Sequence, residues 1–230
     1  MFFILFCGIT CCYAEIVECQ FKEDYYWNEE ETFYTCQIKK LDIKNDSINI
    51  SNVSGTHSYG KSNQDIKQLV ITKTNTDYLP DGLGKIFNLT SLMVYSTTLK
   101  EIHSKNFIGM DELKFLYLAQ NQLSFISKDF FLTLTNLEKI NLSFNQLEVL
   151  EYDLFINNLK LDYIWLHTNK ISSIGSDLFK HLIKLKFVDL RNNNCVNIRY
   201  SDIEEIDELK NNNQKCKKTF EKHANSQNGK

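Results

Sequence analysis

Proline is almost absent from this 230-residue chain: there is one, and only eight glycines accompany it. Flexible linkers between independent domains draw on such residues, so the composition argues for one continuous body. No charge of one sign dominates either. The 26 Lys and Arg are interspersed with 29 Asp and Glu, for a net charge of −3, which excludes a basic nucleic-acid surface. Beyond the N-terminus no run approaches the ~18 apolar residues of a membrane span. A C-x-x-C pair, a phosphate-binding glycine loop and a dinucleotide fingerprint are all missing. His57, His103, His181 and His223 are dispersed without metal-ligand spacing. The expectation is a chain with no cofactor, no metal and no nucleic-acid partner.

The first fourteen residues, MFFILFCGITCCYA, are apolar and end on the small residue Ala14. That pattern is expected of a secretory signal peptide covering 1–14 and implies a secreted, extracellular protein. Cys7, Cys11 and Cys12 would leave with it. Four cysteines remain, Cys19, Cys36, Cys195 and Cys216, as two sequence-local pairs. Four cysteines permit three connectivities. If the body between the pairs is a long rod, only Cys19–Cys36 with Cys195–Cys216 avoids joining its ends. Each bridge would then close a loop worth roughly 3 kcal/mol in the chain-entropy model.

Between the cysteine pairs runs an echo with an interval of 24 residues. Leu89, Leu113, Leu137, Leu161 and Leu185 each open a segment L-x-x-[LIV]-x-[LV], and Phe107, Phe131, Phe155 and Phe179 keep the same interval. The alternation inside each segment (Leu116/Leu118, Ile140/Leu142, Ile164/Leu166, Val188/Leu190) is strand periodicity. Three residues further on come Asn121, Asn145, Asn169 and Asn193, short amides placed to bond backbone groups where the chain leaves the strand. Stacked units would let each amide serve its neighbour as well. Thr74 and Thr97 replace the Asn in the first two units. In the third complete unit the apolar residue expected after Phe155 slips past Asn158 to Leu159.

The stretches LKFLYLAQNQL and LEKINLSFNQL resemble the leucine-rich repeat, L-x-x-L-x-L-x-x-N-x-L. The resemblance covers about residues 66–198. It implies an α/β leucine-rich repeat solenoid: curved, with a parallel β-sheet on its concave side. Residues 15–65 are read as an aromatic-rich N-terminal cap and degenerate first repeat. Residues 199–216 are read as a C-terminal cap helix, opened by a Ser201/Glu204 capping box and carrying an Ile203–Ile206–Leu209 stripe. The tail 217–230 is polar and expected to be disordered. Cysteine caps at both ends resemble the extracellular branch of the family, and SGTHSYGKSNQDIKQLVI is similar to small secreted insect members.

Residues alternating with the apolar strand positions should face the concavity, in columns ~4.8 Å apart. Tyr95, Phe115, Tyr117, Tyr163, Trp165 and Phe187 crowd these columns, accompanied by Lys139, His167, Asp189 and Arg191. Exposed rings in that number point to binding, since Tyr and Trp dominate interface hot spots. Lys139 would lie between Phe115 and Tyr163, within reach of both ring faces. Sequons at Asn45, Asn49, Asn52, Asn88 and Asn141 are candidate glycosylation sites, and a glycan on Asn141 would stand in the middle of the patch.

Ser143, His167 and Asp189 fall on successive strands in a nucleophile–base–orienter order. Nothing supplies an oxyanion hole, and Arg191 competes for Asp189, so the reading is of no enzyme. The expected function is recognition of an extracellular macromolecule, a protein above all, in recognition, adhesion or innate defence. A self-associating matrix protein whose concave patch forms a homodimer is the alternative, so the chain is a monomer or a concave-face dimer.

Overall fold

A computed structural model describes residues 14–25, 32–211 and 216. The expected signal peptide (apart from Ala14), Tyr26, Trp27 and the tail 217–230 lie outside the described residues. Strands β1 (Ala14–Tyr25) and β2 (Thr32–Ile38) form an antiparallel hairpin. β3 (Asn49–Ser54) pairs in parallel with β1. The repeat strands follow: β4 (Gln68–Thr72), β5 (Ser91–Tyr95), β6 (Phe115–Tyr117) and β7 (Lys139–Asn141). After the short β8 (Val149–Leu150) come β9 (Tyr163–Trp165), the short β10 (Ser173–Ile174), β11 (Phe187–Asp189) and β12 (Arg199–Tyr200). One sheet runs β12-β11-β9-β7-β6-β5-β4-β2-β1-β3, and β8 pairs with β10 on the back. From β2 to β11 every neighbouring pair is parallel, as the repeat pattern requires.

Solenoid turns cannot close their own cores, so each repeat is held by the next. The leucines of the echo are buried throughout, and Phe107, Phe131, Phe155 and Phe179 form a spine behind them. The Phe131 ring lies 4.4 Å from Phe130 and 5.0 Å from Phe155. The asparagines bridge repeats as the spacing predicts. Asn169 Nδ2 donates to the Leu142 and Leu166 carbonyls at 2.9 and 3.0 Å, and its Oδ1 accepts from Leu147 N–H at 3.0 Å. Asn145 and Asn193 repeat the arrangement. Thr97 is a workable substitute: its hydroxyl donates to Asn121 Oδ1 and accepts from Leu99 N–H.

Each ladder residue is preceded by a left-handed one. Lys73, Ser96, Gln120, Phe144, Thr168 and Asn192 all have φ between 53° and 57°. None is glycine, so the sequence carries no sign of this bend. A β-branched residue is the worst suited to it. Thr168→Asn, which copies the residue already tolerated at position 192, should raise the unfolding free energy by about 1 kcal/mol, measured by urea titration.

Three sequence expectations are corrected here. Asn158 stays in the buried place and Leu159 does not replace it: Leu159 is 50% exposed, Asn158 not at all. The amide earns its position by donating to the Phe131 and Leu134 carbonyls at 3.1 and 2.8 Å. The C-terminal cap begins with a strand, β12, antiparallel to β11, and the helix (α1, Ile203–Asn211) starts only at Ile203. Its capping contacts shift by one residue. Asp202 Oδ1 accepts from Glu205 N–H, and Glu205 accepts from Ser201 N–H. Ile206 and Leu209 pack inward, but Ile203 is 77% exposed because it lies at the helix's first turn. Disulfides Cys19–Cys36 and Cys195–Cys216 close both ends, the pairing that a rod allows.

Candidate functional site

Parallel register sets the site. Phe115, Lys139, Tyr163 and Phe187 are cross-strand neighbours in one row, and Tyr117, Asn141, Trp165 and Asp189 in the next. The five rings in these rows, Phe115, Tyr117, Tyr163, Trp165 and Phe187, are all half-buried. The concave side chains therefore pack on one another before anything else binds.

Tyr163, Trp165 and Phe187 form one cluster, with centroids 5.6, 5.8 and 5.2 Å apart. Tyr95 and Tyr117 form a second, edge to face at 5.6 Å. Lys139 Nζ sits 5.7 Å from the Phe115 ring and 5.1 Å from that of Tyr163, so two aromatic faces hold the ammonium. Burial pushes the Tyr117 phenol up, with Tyr95 adding to the shift, so it stays a neutral hydroxyl.

Between the clusters lies an open groove of about 540 Å³, lined by Met93, Tyr95, Tyr117, Gln120, Asn141, Ser143, Phe144, Trp165 and His167. Asn141 and Ser143 make its polar floor. Ser143 N–H and Oγ both donate to Asn141 Oδ1, at 2.9 and 2.6 Å. A backbone N–H can only donate, so this pair fixes which amide atom is oxygen. Asn141 Nδ2 makes no hydrogen bond among the described residues, and the residue is 6% exposed on the groove floor.

The remaining candidates divide. Asp189 is 1% exposed and is taken up by Arg191, whose Nε and Nη2 donate to it at 2.9 and 2.6 Å. Burial works against its charge, but the Arg191 hydrogen bonds overcome this and hold the carboxyl below its ordinary range. Asp189 thus braces Arg191, whose side chain is exposed, and is not presented to a ligand. His167 Nδ1 lies 3.2 Å from Thr168 Oγ1, and its ring meets Phe144 edge-on at 5.0 Å. With Ser143 committed to Asn141 and Asp189 to Arg191, the three residues make no relay.

Burial pushes the His167 imidazole down; Asp189 opposes and Arg191 assists. The neutral ring is therefore the folded-state form. Its contribution to stability is complete above the unfolded value near 6.5 and is lost as pH falls through the lower folded value. An NMR titration should find His167 half-protonated at a lower pH than a free histidine, and an Arg191→Ala variant should move that midpoint upward.

At the other end of the sheet the concave positions close up. Gln68 Nε2 donates to Thr35 Oγ1 at 3.2 Å and Gln68 Oε1 accepts from Ser91 Oγ at 3.0 Å, a buried ladder that leaves nothing to bind. Sequence reading missed Phe144, 46% exposed on the groove rim. It occupies the left-handed place before Asn145, just beyond the strand positions that the alternation tracks. A phenylalanine where other repeats carry Lys, Ser, Gln, Thr or Asn was the available signal. Of the sequons, Asn45, Asn52 and Asn88 are exposed, Asn49 is half-buried, and Asn141 alone is on the groove floor.

The leucine rich repeat family model matches residues 87–147 and 135–195. No curated protein matches the chain. A solved chain from the structure of the Toll–Spatzle complex, a molecular hub in Drosophila development and innate immunity, is similar at 20% identity, with a TM-score of 0.51. The match covers 63% of this chain and 21% of that one, so the present chain spans about a fifth of its neighbour's length. At that identity the likeness shows the fold.

Proposed function

We infer that this chain, a leucine-rich repeat protein over residues 87–195, is a secreted, non-catalytic module that captures an extracellular protein on its concave face. The observation that carries the reading is the pair of half-buried aromatic clusters, Tyr95–Tyr117 and Tyr163–Trp165–Phe187, on either side of a polar-floored groove. Pre-packed rings lose little side-chain freedom on binding, which is how aromatic anchors become hot spots. A chain of the same fold occurs in the Toll–Spatzle complex, and that supports a protein partner here. Two disulfides support an oxidising compartment, and no helix among the described residues is long and apolar enough to cross a membrane.

Pull-down from extracellular fluid tests the reading. Wild type should capture a discrete partner, and Tyr163→Ala/Trp165→Ala should lose it while retaining its thermal transition. Undiminished capture by the double variant would place the binding surface elsewhere. A tight homodimer that Trp165→Ala renders monomeric would instead favour self-association through the same patch.

Glycans belong on the N-terminal flank at Asn45, Asn49, Asn52 and Asn88. Asn141 stays unmodified, because a sugar on Nδ2 would fill the groove between Tyr117 and Trp165. Peptide mapping of the secreted protein should find the Asn141 peptide bare; full occupancy there would contradict a central binding groove.

A further inference from the structure

Asn141 offers the groove a donor and withholds its acceptor. Asn141 Oδ1 is saturated by Ser143, while Asn141 Nδ2 has no hydrogen bond among the described residues, opens onto the groove, and is set between Tyr117 and Trp165 in the cross-strand row. An occupant above Asn141 must therefore supply an acceptor there, a role that a backbone carbonyl fills. Charge narrows the class further. The groove lining contains no carboxylate and no Lys or Arg, and its histidine is kept neutral by burial. Nearby, Lys139 is held between two rings and Arg191 is paired with Asp189. An uncharged segment complements this surface.

Spacing supplies the last constraint. Tyr117 and Trp165 lie on strands separated by one other, so their rows are roughly 9.6 Å apart. A polyproline II helix rises ~3.1 Å per residue with three residues per turn, so positions i and i+3 share a face ~9.3 Å apart. The two distances agree. Proline adds what this groove can use: a strong carbonyl acceptor and a flat apolar ring that packs on aromatic faces.

We propose that the concave groove binds an uncharged, proline-rich segment of a partner protein in the polyproline II conformation. The segment crosses the strands with prolines at i and i+3 on Tyr117 and Trp165, and an intervening carbonyl accepts from Asn141 Nδ2. This rests on the concave-face reading and gives it a ligand class.

The test is a fluorescence-anisotropy titration of the full chain with a labelled, end-capped, uncharged nonapeptide carrying proline at every third position. Saturable binding is expected. An analogue with alanine for proline should bind at least tenfold more weakly. Asn141→Asp is the informative variant: its carboxylate still accepts both Ser143 bonds. Its second oxygen takes the place of Nδ2 at the groove, where water reaches it in the free protein, and no backbone carbonyl loses a donor as at Asn145. The floor is therefore kept, but the donor becomes an acceptor. It should weaken peptide binding at least tenfold with the thermal transition retained, and Trp165→Ala should abolish binding. Absence of saturation, equal affinity for the alanine analogue, or unchanged affinity in Asn141→Asp would overturn the proposal. So would a neutral oligosaccharide that saturates the groove where the peptide does not. If the peptide fails while Tyr163→Ala/Trp165→Ala still loses its natural partner, the concave-face reading stands and the polyproline assignment alone falls.

Discussion

Replacing Asn145 by alanine should lower the unfolding free energy by about 3–5 kcal/mol, read from the midpoint and slope of a urea titration. The amide is buried and serves both of its neighbours. Its Nδ2 donates to the Leu118, Leu142 and Ser143 carbonyls at 2.9, 3.1 and 3.2 Å, and its Oδ1 accepts from Leu123 N–H at 3.0 Å. Alanine would leave several of these backbone groups dry and unpaired, each costing about 1–3 kcal/mol. Asn145→Asp should be no better, since it keeps the acceptor, loses the donors and adds a buried charge. A loss under 1 kcal/mol would mean that the ladder is ornamental and that leucine packing alone sets the repeat geometry.

Replacing Phe131 by alanine should cost a comparable ~3–5 kcal/mol by a different route, the cavity left by a fully buried ring. Phe131 touches Phe130 in its own repeat and Phe155 in the next, so its removal opens the spine behind the sheet. The concave strands lie on the opposite side of the leucine core. Partner capture measured well below the variant's melting temperature should therefore persist. That combination, a large stability loss with binding intact, separates the scaffold from the surface it displays.

Much of the scaffold was legible because it is periodic. Leu, Asn and Phe recur at a fixed interval, and the structure places each in the role its chemistry suggests. The departures come from contacts that no interval encodes. Asn158 holds a buried place because two carbonyls of the preceding repeat need its amide, a fact invisible to a rule that looks for the next apolar residue. Asp189 alternates like a surface residue yet is buried, because Arg191 two positions on folds back to neutralise it. Gln68 and Ser91 close their part of the concavity by bonding each other across strands. The left-handed bend before each Asn left no glycine to mark it, and so Phe144 on the groove rim went unread. The aromatic columns, the Lys139 contacts and the central place of Asn141 could be read from register alone. What distinguishes Asn141, an oxygen that is used and a nitrogen that is not, needed the Ser143 geometry.

The central claim is that binding occurs in the concave groove. Hydroxyl-radical footprinting of the protein, free and with its captured partner, tests it most directly. Protection should concentrate at Tyr117, Phe144 and Trp165, while Ile108, Leu159 and Ile183, exposed outside the groove, should react equally in both states. Protection of Ile108, Leu159 and Ile183 with Tyr117, Phe144 and Trp165 unchanged would contradict the account.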